Sequence, residues 1–181
     1  SRGLGDVYKR QAHSSVGDIV REYQAKYQHI VYKKIENKGI AANTNAAAEL
    51  ASGEYLALAD HDDILAPHAM YTMGRAIRQL REAGEPDGFL YSDEALFTKK
   101  IEKPLVAHFK PDYAPDYLLC CNYICHLAVF RRELFEQVGG ERPECDGSQD
   151  HDLFLRLIEQ VGGAAHVPQV LYYWRVHEGS T

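Results

Sequence analysis

The sequence predicts an α/β protein in which strands alternate with helices along a parallel sheet. Apolar runs of strand length, such as YLALA at 55–59 and GFLYS at 88–92, alternate with stretches of helical apolar spacing. Gly and Pro punctuate the joins, at Gly39, Gly53, Pro67, Gly84 and the pairs 139–140 and 162–163. At 181 residues, 45% apolar and 25% charged, the chain suffices for one domain with a real core and is too short for two.

Taken in order, residues 1–11 (SRGLGDVYKRQ) show neither periodicity and read as a non-native tail, leaving 12–181 for the domain. Ser15 and Asp18 have capping-box spacing, and Val16, Ile19, Val20, Tyr23 and Tyr27 form a helical stripe. HIVYKKI at 29–35 is rich in β-branched and aromatic residues and reads as a strand. IAANTNAAAELA at 40–51 reads as a helix closed by Gly53, small enough in its side chains to approach a sheet or ligand closely. YLALA is a strand ending in Asp60-His61-Asp62-Asp63. After Pro67 comes a helix with Ala69, Met70, Met73, Ile77 and Leu80 on one side, stopped near Gly84. GFLYS is a strand ending in Asp93-Glu94. Residues 94–117, with three prolines, read as an ordered crossing segment. LAVF is a short strand, RRELFEQV a short helix, and 149–161 a longer helix with Leu153, Leu157 and Val161 on one side. AAHV and VLYYW read as two strands around Pro168.

Composition excludes several classes. Twenty Lys and Arg against 26 Asp and Glu give a net charge of −6, with no basic excess to displace counterions from nucleic acid. No apolar run approaches the roughly 20 residues of a spanning helix, and no signal-peptide pattern opens the chain. Cys120, Cys121, Cys125 and Cys145 match neither a disulfide framework nor separated zinc pairs, and read as small core residues in a reducing compartment.

In a parallel α/β sheet, ligands bind beyond the carboxyl ends of the strands, where both acidic clusters fall. Three carboxylates at 60, 62 and 63 repel one another and need water, a cation or basic partners. Mg²⁺ or Mn²⁺, held by one or two carboxylates plus phosphates, suits such a turn; a solvated acidic turn is the bland alternative. Asp150, opening a helix, is either a partner of the helix dipole or a general base. Arg175 and His177 face one side of an extended segment, where Arg can neutralise a diphosphate and His can bind a metal. Tyr113, Tyr117, Tyr123 and Trp174 suit either sugar stacking or the core.

Several ordered motifs together resemble family 2 glycosyltransferases of the GT-A fold, in the bacterial branch that builds surface polysaccharides. They are NKGIAANTNAAAELASGEYLALADHDD, YSDEALF, KPDYAPDYLL, NYICHLAVFRREL, GSQDHDLFLRLIE and LYYWRVHEGST, spanning 12–181. The resemblance implies a Rossmann-like mixed sheet flanked by helices. It implies an inverting, Mn²⁺- or Mg²⁺-dependent transfer from a nucleotide sugar to a glycan or lipid-linked hydroxyl. Asp62 is then the metal ligand, with His177 completing the site, Asp60 a further candidate ligand near the donor ribose or sugar, and Asp63 in support. Asp150 matches the acidic residue of the family's ED motif, with Gln149 in place of Glu, and is the expected base. Asn37, Gly39 and Asn43 approach the nucleotide, Asp93 and Glu94 line the donor-sugar pocket with Arg175 nearby, and Asn122 and His126 lie on the acceptor side.

The family pattern begins with two further strands that hold the nucleotide base, and Ala12 takes up after them. The resemblance therefore implies a partial domain lacking its first strands, with exposed apolar edges and weak nucleotide-sugar binding on its own. Micromolar binding of UDP- or dTDP-sugars with Mn²⁺ in calorimetry would contradict that. Further domains in a parent chain and a peripheral place at the inner face of the plasma membrane, in the cytoplasm, belong to the same expectation. A non-catalytic glycan- or nucleotide-binding module and a metal-dependent phosphohydrolase are the alternative readings.

Overall fold

The computed structural model describes residues 16–177, so the tail at 1–11 and the Ser15 cap lie outside the described residues. A six-stranded mixed sheet runs in the order β1 (Tyr55–Ala57), β5 (Ala128–Arg131), β3 (Phe89–Phe97), β6 (Ala165–Arg175) and β2 (Ile64–Leu65), with β4 (Val106–His108) paired to the second half of β3. Among the described residues only β3 and β6 run parallel; the other pairs are antiparallel. The parallel sheet expected from alternation is thus corrected to the mixed sheet implied by the resemblance. β4 folds back on β3 through a short connection, while β1 and β2, close in sequence, lie at opposite ends of the strand order and pair antiparallel with β5 and β6.

β3 is the spine. Successive side chains on a strand point to opposite faces, so Phe89 and Tyr91 enter one core and Leu90 the other. On the first face they pack with Phe130 against Leu153, Phe154, Leu157 and Ile158 of α6 (Gln149–Val161) and Phe135 of α5 (Arg132–Gln137). On the second, Leu90, Val129, Leu171 and Tyr172 pack against Ala69 and Met73 of α3 (Ala69–Ala83). α3 and α6 end where expected, on Gly84 and Gly162 in left-handed conformation.

Several expectations are corrected. Residues 29–35 form no strand: Ile30 and Tyr32 are half-buried and Val31 is exposed, as alternation requires, but among the described residues no strand pairs with them. On α1 (Val16–Lys26) Ile19 and Tyr23 are about half exposed, as is Tyr27 just beyond it, while Val20 is half-buried. α2 (Ile40–Ala48) stops at Glu49, short of Gly53. AAHV and VLYYW are one strand, β6, because shifts in register beside Ser92 and Asp93 absorb Pro168. Asp93 and Glu94 sit in the middle of β3 rather than at its end. Cys120 and Cys121, at the end of α4 (Pro115–Cys120), are exposed rather than core. No helix among the described residues is long and apolar enough to cross a membrane.

At the start of β1, Asp87 accepts hydrogen bonds from Arg81, Arg131 and the Tyr55 hydroxyl. Burial opposes its charge, but these donors hold the carboxyl well below the usual range. This is a structural clamp on β1, β3 and β5.

Candidate active site

The turn after β1 carries Asp60, Asp62 and Asp63, and each carboxylate has a partner that relieves their repulsion. Asp63 accepts from the Tyr172 hydroxyl at 2.6 Å and the Arg175 backbone N–H at 2.7 Å. Burial and the neighbouring Asp60 and Asp62 nevertheless push its pKa up. Asp62 Oδ2 lies 2.9 Å from His177 Nε2, and the Asp62 carbonyl accepts from Arg175 Nε at 2.7 Å. The Arg175 guanidinium lies 4.5 Å above the Phe97 ring. Asp60, 62% exposed, approaches His126 Nε2 at 3.6 Å, and that imidazole lowers its pKa. β6 therefore delivers Tyr172, Arg175 and His177 to the turn through its antiparallel pairing with β2.

His126 lies in the 121–127 loop between α4 and β5. Its ring stacks on Tyr172 at 4.8 Å between centroids, and its Nδ1 is buried without a partner. Burial opposes the charge on His126, but the Asp60, Glu94 and Asp150 carboxylates prevail and raise its pKa. Asp150 reaches the same loop directly: Asn122 Nδ2 donates to its Oδ2 at 2.8 Å, while its Oδ1 accepts the His151 N–H at 2.9 Å. The loop is thus bracketed by Asp60 on one side and Asp150 on the other.

Asn37, Gly39 and Asn43 gather at the start of α2. Asn37 Oδ1 accepts from Gly39 N at 3.2 Å and Asn43 Nδ2 at 2.9 Å. Asp146, from the turn before α6, caps the helix by accepting the N–H groups of Ile40 at 3.2 Å and Ala41 at 2.9 Å. Asp93 and Glu94 are each 2% exposed and are occupied by the chain itself. Asp93 Oδ1 accepts from Lys110 N and faces His166 Nε2, both at 2.9 Å. Glu94 Oε2 accepts from Lys110 Nζ and His126 N, both at 3.2 Å, and its Oε1 faces His108. Of the aromatic candidates, half-exposed Tyr117 stacks on Tyr123 at 5.1 Å.

The structure joins Asp62 to His177, and it brings Asp60, through His126, and Asp150, through Asn122, to one loop. Asp146, Tyr172, Lys110 and Glu141 were not legible as site residues. Asp146 caps a helix 105 positions earlier, and no local pattern marks a contact that distant.

The sequence profile described as glycosyl transferase family 2 matches residues 14–139. The chain belongs to this family. The O-antigen biosynthesis protein RfbC of Myxococcus xanthus is 34% identical over 90% of this chain and 12% of its own length. Curated relatives at 34–38% identity are matched over only 12–18% of their length. Among solved structures, residues 1–349 of S. aureus TarS in complex with UDP-GlcNAc superpose with a TM-score of 0.69 at 15% identity, covering 97% of this chain and 49% of that one. The mannosyltransferase PcManGT from Pyrobaculum calidifontis, in complex with GDP-Man and Mn²⁺, gives 0.64 at 19% identity, covering 97% and 48%. These likenesses show the GT-A fold, and family membership makes this a glycosyltransferase domain rather than a phosphohydrolase.

In this glycosyl transferase family 2 domain Asp62 and His177 are the side chains that could ligate a divalent cation, one through a carboxylate oxygen and one through an imidazole nitrogen. Octahedral Mg²⁺ with bonds of about 2.1 Å holds adjacent ligands about 3 Å apart, and Asp62 Oδ2 and His177 Nε2 are 2.9 Å apart. Among the described residues no group of three His, Cys, Asp or Glu side chains forms a complete cage.

Gly39 provides a direct test of the α2 end. Its φ of +107° with ψ of 172° is glycine territory, and a Cβ there overlaps the Asp146 carboxylate. Gly39→Ala is expected to cost about 2–4 kcal/mol, from backbone strain plus the lost cap. Asp146→Ala, losing the cap alone, costs about 1 kcal/mol. Urea denaturation checks both, and equal losses would contradict the account.

Proposed function

We propose that this domain transfers a sugar, with inversion, from a nucleoside-diphosphate donor to a hydroxyl of a glycan or lipid-linked acceptor in surface-polysaccharide synthesis, with Mn²⁺ or Mg²⁺. The observation that carries the reading is the bracketing of one loop by Asp60 and Asp150, whose charges act on the same imidazole. The complexes of TarS with UDP-GlcNAc and of PcManGT with GDP-Man and Mn²⁺ support the donor class and the metal. The O-antigen role of RfbC supports the acceptor class.

Asp62 and His177 would hold the cation, with Asp60 beside the donor sugar. A bound divalent cation supplies positive charge to the departing diphosphate. Asn37, Gly39 and Asn43 approach the nucleotide. Arg175 stabilises the diphosphate side, while Asp93 and Glu94 support the sugar pocket from the buried network. Asn122 and His126 border the acceptor, and Asn122 orients the Asp150 carboxylate. The acceptor oxygen attacks the anomeric carbon as the bond to the diphosphate oxygen breaks, and its proton passes to Asp150. One displacement inverts configuration and needs no enzyme nucleophile. The same reading places the domain in the cytoplasm, beside the inner face of the plasma membrane and within a larger chain.

Nucleoside-diphosphate release from UDP-, dTDP- and GDP-sugars, with proton NMR of the product, tests this. An inverted anomeric centre is expected; retention would overturn the mechanism. Turnover is also expected to vanish with EDTA and return with Mn²⁺, and Asp62→Ala is expected to raise the Mn²⁺ needed for half-maximal rate by at least about tenfold. Turnover indifferent to EDTA would contradict the metal assignment.

A further inference from the structure

Lys110 is a lysine out of place. Its side chain is 3% exposed, and lysines are rarely buried without paired charges. Its Nζ donates to three acceptors: Glu94 Oε2 at 3.2 Å, the Ile124 carbonyl at 2.5 Å and the His126 carbonyl. Two of these belong to the 121–127 loop, which wraps the ammonium while Cys125, between them, takes a φ of +39°. Glu94 Oε2 closes the circuit by accepting the His126 N–H at 3.2 Å. The Lys110 backbone is pinned to Asp93 Oδ1 at 2.9 Å, so neither end of the residue is free to shift.

A buried ion pair adds little stability over an apolar pair of the same volume. What this one supplies is shape. With its carbonyls turned inward to the ammonium, the loop presents Asn122 to Asp150 and His126 to Asp60. We propose that Lys110 is a positioning residue for sugar transfer: its ammonium fixes the loop that aligns the base on one side with the donor-side aspartate on the other. The proposal rests on the transferase reading above and adds to it a group that touches neither substrate.

The test uses two variants in the full chain. Lys110→Met leaves buried Glu94 with only the His108 ring and the His126 N–H, and risks unfolding. Lys110→Arg keeps the charge, and hence the fold, but a planar fork cannot repeat the grip of a compact ammonium. For Lys110→Arg the expected result is a thermal midpoint close to the parent's and donor affinity within about threefold. With these, kcat falls about 100-fold and acceptor KM rises, the scale of a misplacement near 1 Å. A purely structural lysine would change stability and leave the kcat–KM split untouched. Unchanged kcat and acceptor KM in folded Lys110→Arg overturn the proposal.

Should the parent protein show no transfer with any donor, the transferase reading fails by itself, and Lys110 is judged by hydrogen exchange. The Cys125 and His126 amides, bonded to Asn122 Oδ1 and Glu94 Oε2, are expected to exchange at least about tenfold faster in Lys110→Arg, with α6 unaffected. Unaltered exchange at both amides overturns it equally.

Discussion

Replacing Asp150 by Asn lowers the transfer rate by about 10²- to 10⁴-fold, the range of a lost general base, with donor binding nearly unchanged. Asn keeps the volume and the contact with Asn122, whose Nδ2 lies 2.8 Å from Asp150 Oδ2, so the loop geometry survives. What disappears is the capacity to take a proton. The bland role of Asp150, a negative charge in the first turn of α6, makes a different forecast. Losing a dipole partner costs about 0.3–1 kcal/mol of stability and leaves turnover alone. Steady-state kinetics and denaturation of one variant separate the two, and an active, slightly destabilised Asp150→Asn would end the assignment.

The second large effect concerns pH. Glu141, 3% exposed, has one carboxylate oxygen, Oε2, with no partner. Its backbone is tied to Asn45 of α2 by two 2.8 Å bonds. Burial pushes its pKa up to about 7; the Asp150 and Asp146 charges add to this, while Thr44 on α2 and Arg156 on α6 oppose it. Because the folded chain binds this proton more tightly than the unfolded chain, the contribution is intact below about pH 4.5 and is lost as pH rises to about 7. The loss amounts to about 3 kcal/mol. Glu141→Gln is expected to remove this component, so that the variant is more stable than the parent at pH 8 and little different at pH 4.5. Denaturation curves at the two pH values check it; parallel behaviour of parent and variant would contradict it.

Legibility from sequence followed the range of the interactions. α3 and α6 were readable because apolar spacing and a stop glycine lie within one segment, and the acidic turn because it follows an apolar strand directly. Residues 29–35 misled because local propensity specifies a strand without supplying a neighbour. Asp93 and Glu94 looked like an exposed strand end, since nothing in GFLYSDE signals that Lys110, His108 and His166 will cover and bond them. Lys110 and Asp146 were hidden for the same reason: each acts across more than a dozen residues. The resemblance supplied the mixed sheet that strand–helix alternation alone assigned as parallel.

A crystal structure with a nucleotide sugar and Mn²⁺ bound tests the central claim most directly. The account predicts the cation on Asp62 and His177, the anomeric carbon beside Asp60, and the Asp150 carboxylate about 3 Å from an acceptor hydroxyl or water on the face opposite the diphosphate. A donor sugar seated away from the 121–127 loop, with Asp150 facing the other side of the ring or out of reach, would contradict it.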